Sequence, residues 1–192
     1  MDERTKPLGR PRSEDARLAV LRAVDDMLVD EGYAAMTMKG IAERAKVGRQ
    51  TVYRWWSSKA EILLEASATD AVRELTVASA GSAEDDVVAF LTALSGFLTT
   101  SDAGLAYRAL LGEAQHDRKV AELLRGTDVL GDAARAVVGG EHVHEALGAP
   151  PVTEFAALAA ELVGPTLFRT LAAGWSGDPA EIREMARRFL AR

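Results

Sequence analysis

The stretch TMKGIAERAKVGRQTVYRWWSSK, Thr37 to Lys59, decides how this chain is read. Met38, Ile41, Ala42, Ala45, Val47, Val52 and Trp56 recur at helical spacing on either side of Lys46-Val47-Gly48. That pattern predicts two short helices sharing a small apolar seam. Gly48 is expected to supply the turn, because glycine carries no Cβ to oppose an unusual backbone angle. Outside the seam lie six cations, Lys39, Arg44, Lys46, Arg49, Arg54 and Lys59, against one carboxylate, Glu43. A solvated helix face is the plain reading of such a cluster. Here, however, Gln50, Thr51 and Tyr53 are interleaved with the cations on the second helix, as in a helix-turn-helix unit that reads duplex DNA.

Composition narrows the alternatives. With 192 residues, 48% hydrophobic and 27% charged, the chain is long enough for one or two cores and has the make-up of an ordinary globular protein. There is no cysteine, so disulfides, thiolate metal sites and cysteine nucleophiles are excluded. Met1 to Arg12 is charged and contains proline, unlike a secretory signal, and no uninterrupted apolar run reaches about 20 residues. A soluble, cytoplasmic protein without a membrane partner is expected. The net charge of −6 is unevenly placed: residues 1–60 carry +3 and residues 61–192 carry −9. A basic head on an acidic body would turn its N-terminal end toward phosphate.

Glycine, proline and polar caps divide the sequence into about nine helices, and no run alternates strictly enough for a half-buried strand. The expected class is all-α. Residues 1–12 are read as a flexible basic arm, 13–58 as the helix-turn-helix domain and 59–192 as a larger helical domain. The first helix is expected from about Ser13 to Glu31. The fourth is expected from a Ser58-x-x-Glu61 capping box to about Ser79, before Gly81-Ser82. One long helix is expected over Val120 to Val138, and a connection over Glu141 to Val152. Two helices close the chain, about Thr153 to Ala173 with a kink at Pro165, and Pro179 to Ala191 opened by Asp178 and a capping-box Glu181. The stripe Ile182, Met185, Ala186, Phe189 and Leu190 fits either an internal core or a seam between two copies.

From about Ala16 to Leu64 the chain resembles the DNA-binding domain of the TetR family of bacterial transcriptional regulators. The resemblance rests on Glu31-Gly32-Tyr33, Thr37, Ile41-Ala42, Ala45, Val47, Thr51-Val52-Tyr53, Trp56 and Ser58-Lys59, in that order. It departs at Gly48, where the family often carries a capping serine or threonine. The resemblance implies that Thr37 and Lys59 hold phosphates, that Tyr53 puts its hydroxyl on phosphate or the edge of a base, and that the last two helices pair with a second copy. It also implies a small-molecule pocket in the C-terminal part, for which Phe90, Leu94, Phe97, Tyr107, Leu111, His116 and Phe168 are the candidates.

On the third helix, Arg49, Gln50 and Arg54 are the base-reading candidates, since arginine can donate twice to guanine and glutamine can engage adenine; Thr51 can meet a thymine methyl. Lys46 adds positive charge at the turn. Trp56 is expected in the core, while Trp55 fits either the DNA backbone or plain surface. Gly9-Arg10-Pro11-Arg12 is similar to a minor-groove arm, with Arg10 and Arg12 entering the groove, and equally fits an uncommitted tail.

Enzyme signatures are missing: there is no G-x-S-x-G elbow, phosphate loop or H-E-x-x-H pair. No cofactor is expected. His142-Val143-His144 invites a metal-dependent alternative, but on a helix residues two apart do not share a face. The expectation is a homodimeric regulator, most simply a repressor released from a palindromic operator by a small molecule, with activation by the same fold as the alternative.

Overall fold

The computed structural model describes residues 11 to 191, with side chains from Glu14. Among the described residues every regular element is helical: α1 Pro11–Glu31, α2 Met38–Arg44, α3 Arg49–Trp55, α4 Lys59–Leu75, α5 Ala83–Thr100, α6 Asp102–Glu113, α7 Arg118–Gly126, α8 Val129–Val138, α9 Glu141–Ala146, α10 Phe155–Ala173 and α11 Pro179–Leu190, with a 3-10 turn at Val152–Glu154. The chain is therefore all-α. It forms two compact units, one ending at Ala66 and one beginning at Ser67.

The first unit closes over Val20, Val24, Met27 and Leu28 of α1, Ile41 and Ala42 of α2, Val52 of α3, Trp56, and Ala60, Ile62, Leu63 and Leu64 of α4, all buried. Full burial of a large aliphatic or aromatic side chain contributes roughly 1.5–3 kcal/mol, so the apolar seam seen in the sequence suffices to fix two seven-residue helices that would be marginal alone. The first two turns of α4 belong to this unit because their apolar face completes its core.

In the second unit α5 is the central helix. Its sequence AEDDVVAFLTALSGFLTT is apolar on nearly every side, with Val87, Phe90, Leu91, Leu94, Phe97 and Leu98 all buried, and α6, α8, α9, α10 and α11 pack against it. A helix apolar all round must be surrounded. At the α5–α6 corner a Cβ on Gly104 would stand 1.6 Å from the carbonyl oxygen of Phe97, so only glycine fits there.

Several expected boundaries move, each for a local reason. α1 begins at Pro11, where the fixed φ of proline suits a first helical turn, so Arg12 lies in a helix. The helix expected over Val120 to Val138 is two, because Asp128 accepts the Gly131 N–H at 3.1 Å and starts α8. The stretch expected to be a connection after Gly140 contains α9 and the 3-10 turn. α4 stops at Leu75, four residues early, and beyond it Asp86 of α5 holds the chain by accepting the Ala80 N–H at 2.5 Å.

Both anticipated capping boxes form only in part. Ser58 Oγ accepts the Glu61 N–H at 3.2 Å, but the Glu61 carboxylate accepts from Ser57 N–H at 2.7 Å and not from Ser58. Asp178 caps α11 by accepting from Ala180 and Glu181 N–H, both at 3.0 Å, while Glu181 turns away to pair with Arg169. Ile182, Ala186 and Phe189 are buried and α11 packs on α5, so that stripe is internal core. α10 with its 3-10 turn, Val152–Ala173, is long and apolar enough to cross a membrane by length and composition alone, yet only a third of its most apolar window is buried in the chain. Phe168 and Leu171 stand out from it, 71% and 48% exposed.

Candidate nucleic-acid interface

The turn between α2 and α3 is not built as the sequence suggested. Gly48 sits at φ −66°, an ordinary extended N-cap, and the left-handed residue is Lys46 at φ 56°. Val47 N–H donates to the Ala42 carbonyl at 3.0 Å and Lys46 N–H to Glu43 at 3.2 Å. These two bonds satisfy carbonyls at the end of α2 in the Schellman pattern, which requires a left-handed residue after the C-cap. Lys46 fills that position, at a cost of about 1–2 kcal/mol relative to glycine's freedom there. Gly48 leaves α3 without a side-chain cap.

α3 buries Val52 completely and its C-cap Trp56 nearly so. On the opposite side Arg49, Gln50, Tyr53 and Arg54 are exposed, and at about 100° per residue they share a face roughly 140° wide. Thr51 is half-buried at its margin. The Arg54 guanidinium lies 5.2 Å from the centre of the half-buried Trp55 ring, and Trp55 meets Trp56 edge to face at 5.4 Å. α3 is held from behind: the Trp56 indole N–H donates to Glu65 at 2.9 Å, and Glu65 pairs with Arg17 of α1. The exposed face of α3 is thus braced from behind by α4 and α1.

Not all six cations remain available. Arg44 donates to Asp30 at 3.1 Å and Glu31 at 2.9 Å, tying α2 to the end of α1. Its hydrogen bond to Asp30, and then the charges of Asp30 and Glu31, outweigh desolvation and raise its pKa above the ordinary value. Lys59, expected on phosphate, donates to the Tyr33 carbonyl at 2.8 Å and the Met36 carbonyl at 3.1 Å, with its ammonium 4.1 Å from the centre of the Tyr33 ring. Two of its three donors are spent holding the α1–α2 connection, where the Tyr33 carbonyl also accepts the Met36 N–H at 3.2 Å.

Lys39, Lys46, Arg49 and Arg54 stay exposed. Glu43 lies 3.8 Å from Lys39 and 3.6 Å from Arg49, but all three side chains are more than half exposed, so these pairs are weak and exchangeable for phosphate. Thr37 is exposed and caps α2 by accepting from Gly40 N–H at 3.0 Å, leaving its hydroxyl proton to point outward. Arg10 and the arm up to it lie outside the described residues, as does the side chain of Arg12.

The residues proposed for a ligand pocket do not converge. Phe90, Leu94 and Phe97 are fully buried core, Leu111 is half-buried, and His116 and Phe168 face outward. Tyr107 borders a cavity of about 270 Å³ with Asp128, Arg135 and the small residues of α10. Burial, and then the nearby Asp128 carboxylate, push its hydroxyl up to about 12. The sequence suggested these residues by aromatic content, which does not distinguish core from lining. A cavity of about 140 Å³ goes unnoticed there because backbone and alanines form much of its wall. His142 faces Asp86 at 3.0 Å and His144 faces the Pro150 carbonyl at 3.0 Å, so the two imidazoles serve different partners.

The family model described as "Bacterial regulatory proteins, tetR family" matches residues 20–66. Over 117 residues the chain is 41% identical to the HTH-type transcriptional regulator YdeS of Bacillus subtilis (strain 168), covering 61% of this chain and 59% of that one. It is 29% identical over 118 residues to the DNA-binding transcriptional repressor TetR of Mycobacteroides abscessus, covering 59% of this chain and 60% of that one. The chain thus spans under two thirds of these relatives. The crystal structure of the TetR family transcription regulator SCO0332 superimposes with a TM-score of 0.73 at 26% identity, covering 92% of this chain and 97% of that one. The helix-turn-helix geometry, the matched residues and the shared fold agree: residues 20–66 match the tetR family of bacterial regulatory proteins, and the chain as a whole has the fold of a TetR family transcription regulator.

Proposed function

We propose that this protein is a cytoplasmic, homodimeric transcriptional repressor that binds a palindromic operator and leaves it when a small molecule binds the second unit. The observation that carries the reading is the face of α3, where Arg49, Gln50, Tyr53 and Arg54 are exposed opposite the buried Val52 and Trp56. Arginine and glutamine on a helix narrow enough for the major groove are the side chains that tell guanine and adenine from other bases. Lys39, Lys46 and Thr37 surround that face with phosphate-binding groups, which position the helix and carry no sequence information.

The exposed apolar residues of α10 support the dimer. Phe168 and Leu171 are exposed on α10, and the same helix borders a groove of about 330 Å³ through Leu162 and Pro165, with Glu161, Arg169, Met185 and Arg188 also on its wall. A two-fold pair through this face would present two α3 helices to two half-sites. Release by a ligand requires a coupling of about 1–3 kcal/mol between the units; α4, which runs from the first into the second, is the element to carry it.

Selection of bound duplexes from a random library, followed by binding to single-base variants, tests the reading. Gln50→Ala and Arg54→Ala should each cost about 1–3 kcal/mol and relax preference at particular base pairs. Failure to enrich any sequence, or equal weakening on every sequence, would remove base readout from α3. Light scattering of Phe168→Glu, expected to give a monomer, tests the dimer face.

A further inference from the structure

Asp86 is the one buried carboxylate in the second unit among the described residues, 8% exposed, and it forms no ion pair with a lysine or arginine there. Its neighbours in the first turn of α5 are differently placed: Glu84 pairs with Arg183 and Arg187 of α11, and Asp85 lies 3.7 Å from Arg183. Asp86 instead accepts hydrogen bonds from Ala80 N–H at 2.5 Å, from Ser79 Oγ at 3.1 and 3.2 Å, and meets His142 Nδ1 at 3.0 Å. These partners satisfy its lone pairs, but only His142 can bring positive charge, and only when protonated. Buried charges are ordinarily matched by a counter-charge.

Beside this carboxylate opens the cavity of about 140 Å³, walled by Leu75, Val77, Ala133, Ala136 and Val137. Asp86 is its sole ionisable lining side chain. A cavity of about 150 Å³ with apolar walls holds a benzene-sized molecule. An apolar pocket bordered by one carboxylate that has hydrogen bonds but no lysine or arginine beside it suits a ligand with an apolar body of about six heavy atoms and a cationic head.

We propose that this cavity is a binding site for small organic cations, primary ammonium or amidinium compounds, whose head group donates to the Asp86 carboxylate while the hydrocarbon part fills the apolar wall. The cation competes with His142 and Ser79 for the carboxylate oxygens. Because Asp86 also fastens Ser79 and Ala80, the residues just beyond α4, occupancy loosens that connection. The site stands on the second unit alone and does not depend on what the first unit binds.

The test uses the full chain without DNA and two isosteric probes, n-butylammonium and butan-1-ol, titrated while the amide resonances of Ala80 and His142 are followed. The ammonium is expected to saturate about tenfold or more tighter than the alcohol, as for a hydrogen bond to a charged group. Asp86→Asn should abolish that preference. His142→Ala, which removes the competing imidazole and leaves the carboxylate in place, should tighten ammonium binding, and it decides the matter if Asp86→Asn does not fold. Equal affinity for the two probes, no saturable shift with the ammonium, a preference that survives in Asp86→Asn, or weaker ammonium binding by His142→Ala would each overturn the proposal.

Discussion

Replacing Lys59 by methionine separates a structural lysine from one that serves DNA. Methionine keeps most of the apolar stem and removes the ammonium, so the Met36 carbonyl loses that donor, the Tyr33 carbonyl keeps only the Met36 N–H, and the Tyr33 ring loses its cation. Hydrogen bonds from a charged donor contribute about 1.5–3 kcal/mol each, and an exposed cation–π interaction about 0.5–1 kcal/mol. Lys59 is half-exposed, so water replaces part of both; a net loss of about 2–3 kcal/mol follows. Urea denaturation of the full chain carrying Trp175→Phe reads this directly, because Trp55 and Trp56 then report on the first unit. A second readout is the salt dependence of DNA binding, whose slope falls by about 0.9 for each phosphate that the protein no longer neutralises. Lys59→Met should shift the urea midpoint and leave that slope unchanged. An unchanged midpoint with a slope lower by about one would show that the ammonium serves phosphate, and the structural assignment would be wrong.

Three further outcomes are expected. Lys46→Gly should stabilise the first unit by about 0.5–1 kcal/mol, the left-handed strain relieved less the entropy glycine adds to the unfolded chain, whereas Lys46→Ala should gain nothing; a lower midpoint for the glycine variant would contradict the turn geometry. Glu65→Ala should cost about 1–3 kcal/mol by leaving the buried Trp56 indole N–H without its acceptor, with loss of DNA affinity as α3 loosens, measured by denaturation and operator binding. For Asp86, burial raises the pKa, but the hydrogen bonds from Ala80 N–H, His142 and Ser79 together outweigh it, so the folded-state value lies below the ordinary aspartate value of about 3.9. The resulting stability is present above that value and lost as pH falls through the folded one. The wild type should therefore lose stability more steeply than Asp86→Asn on acidification below about pH 4, checked by melting temperature against pH.

The N-terminal unit was largely legible because its information is local. Helical spacing around residues 46–48 and the opposition of Val52 and Trp56 to Arg49, Gln50 and Arg54 act within a few turns of chain, and periodicity reads that range directly. Short-range competition among side chains was not legible: Glu61 chose the Ser57 N–H, Glu181 chose Arg169, and the left-handed strain fell on Lys46 while Gly48 stayed extended.

What the sequence by itself determined is the helical class, the helix-turn-helix and the side of α3 that faces outward, since these follow from the order of apolar and polar residues along one helix. Tertiary structure decided which cations are free and which aromatics line space. Lys59 and Arg44 look like Arg49 and Arg54 in the sequence, yet carbonyls and carboxylates brought from α1 and its C-terminal loop by folding consume their charge. Phe90 and Phe97 vanish into the core, Phe168 emerges onto the surface, and a cavity forms around Asp86, a residue no pattern marked. The physical reason is that burial and counter-charge are properties of pairs of residues distant in sequence, and only packing fixes which pairs meet.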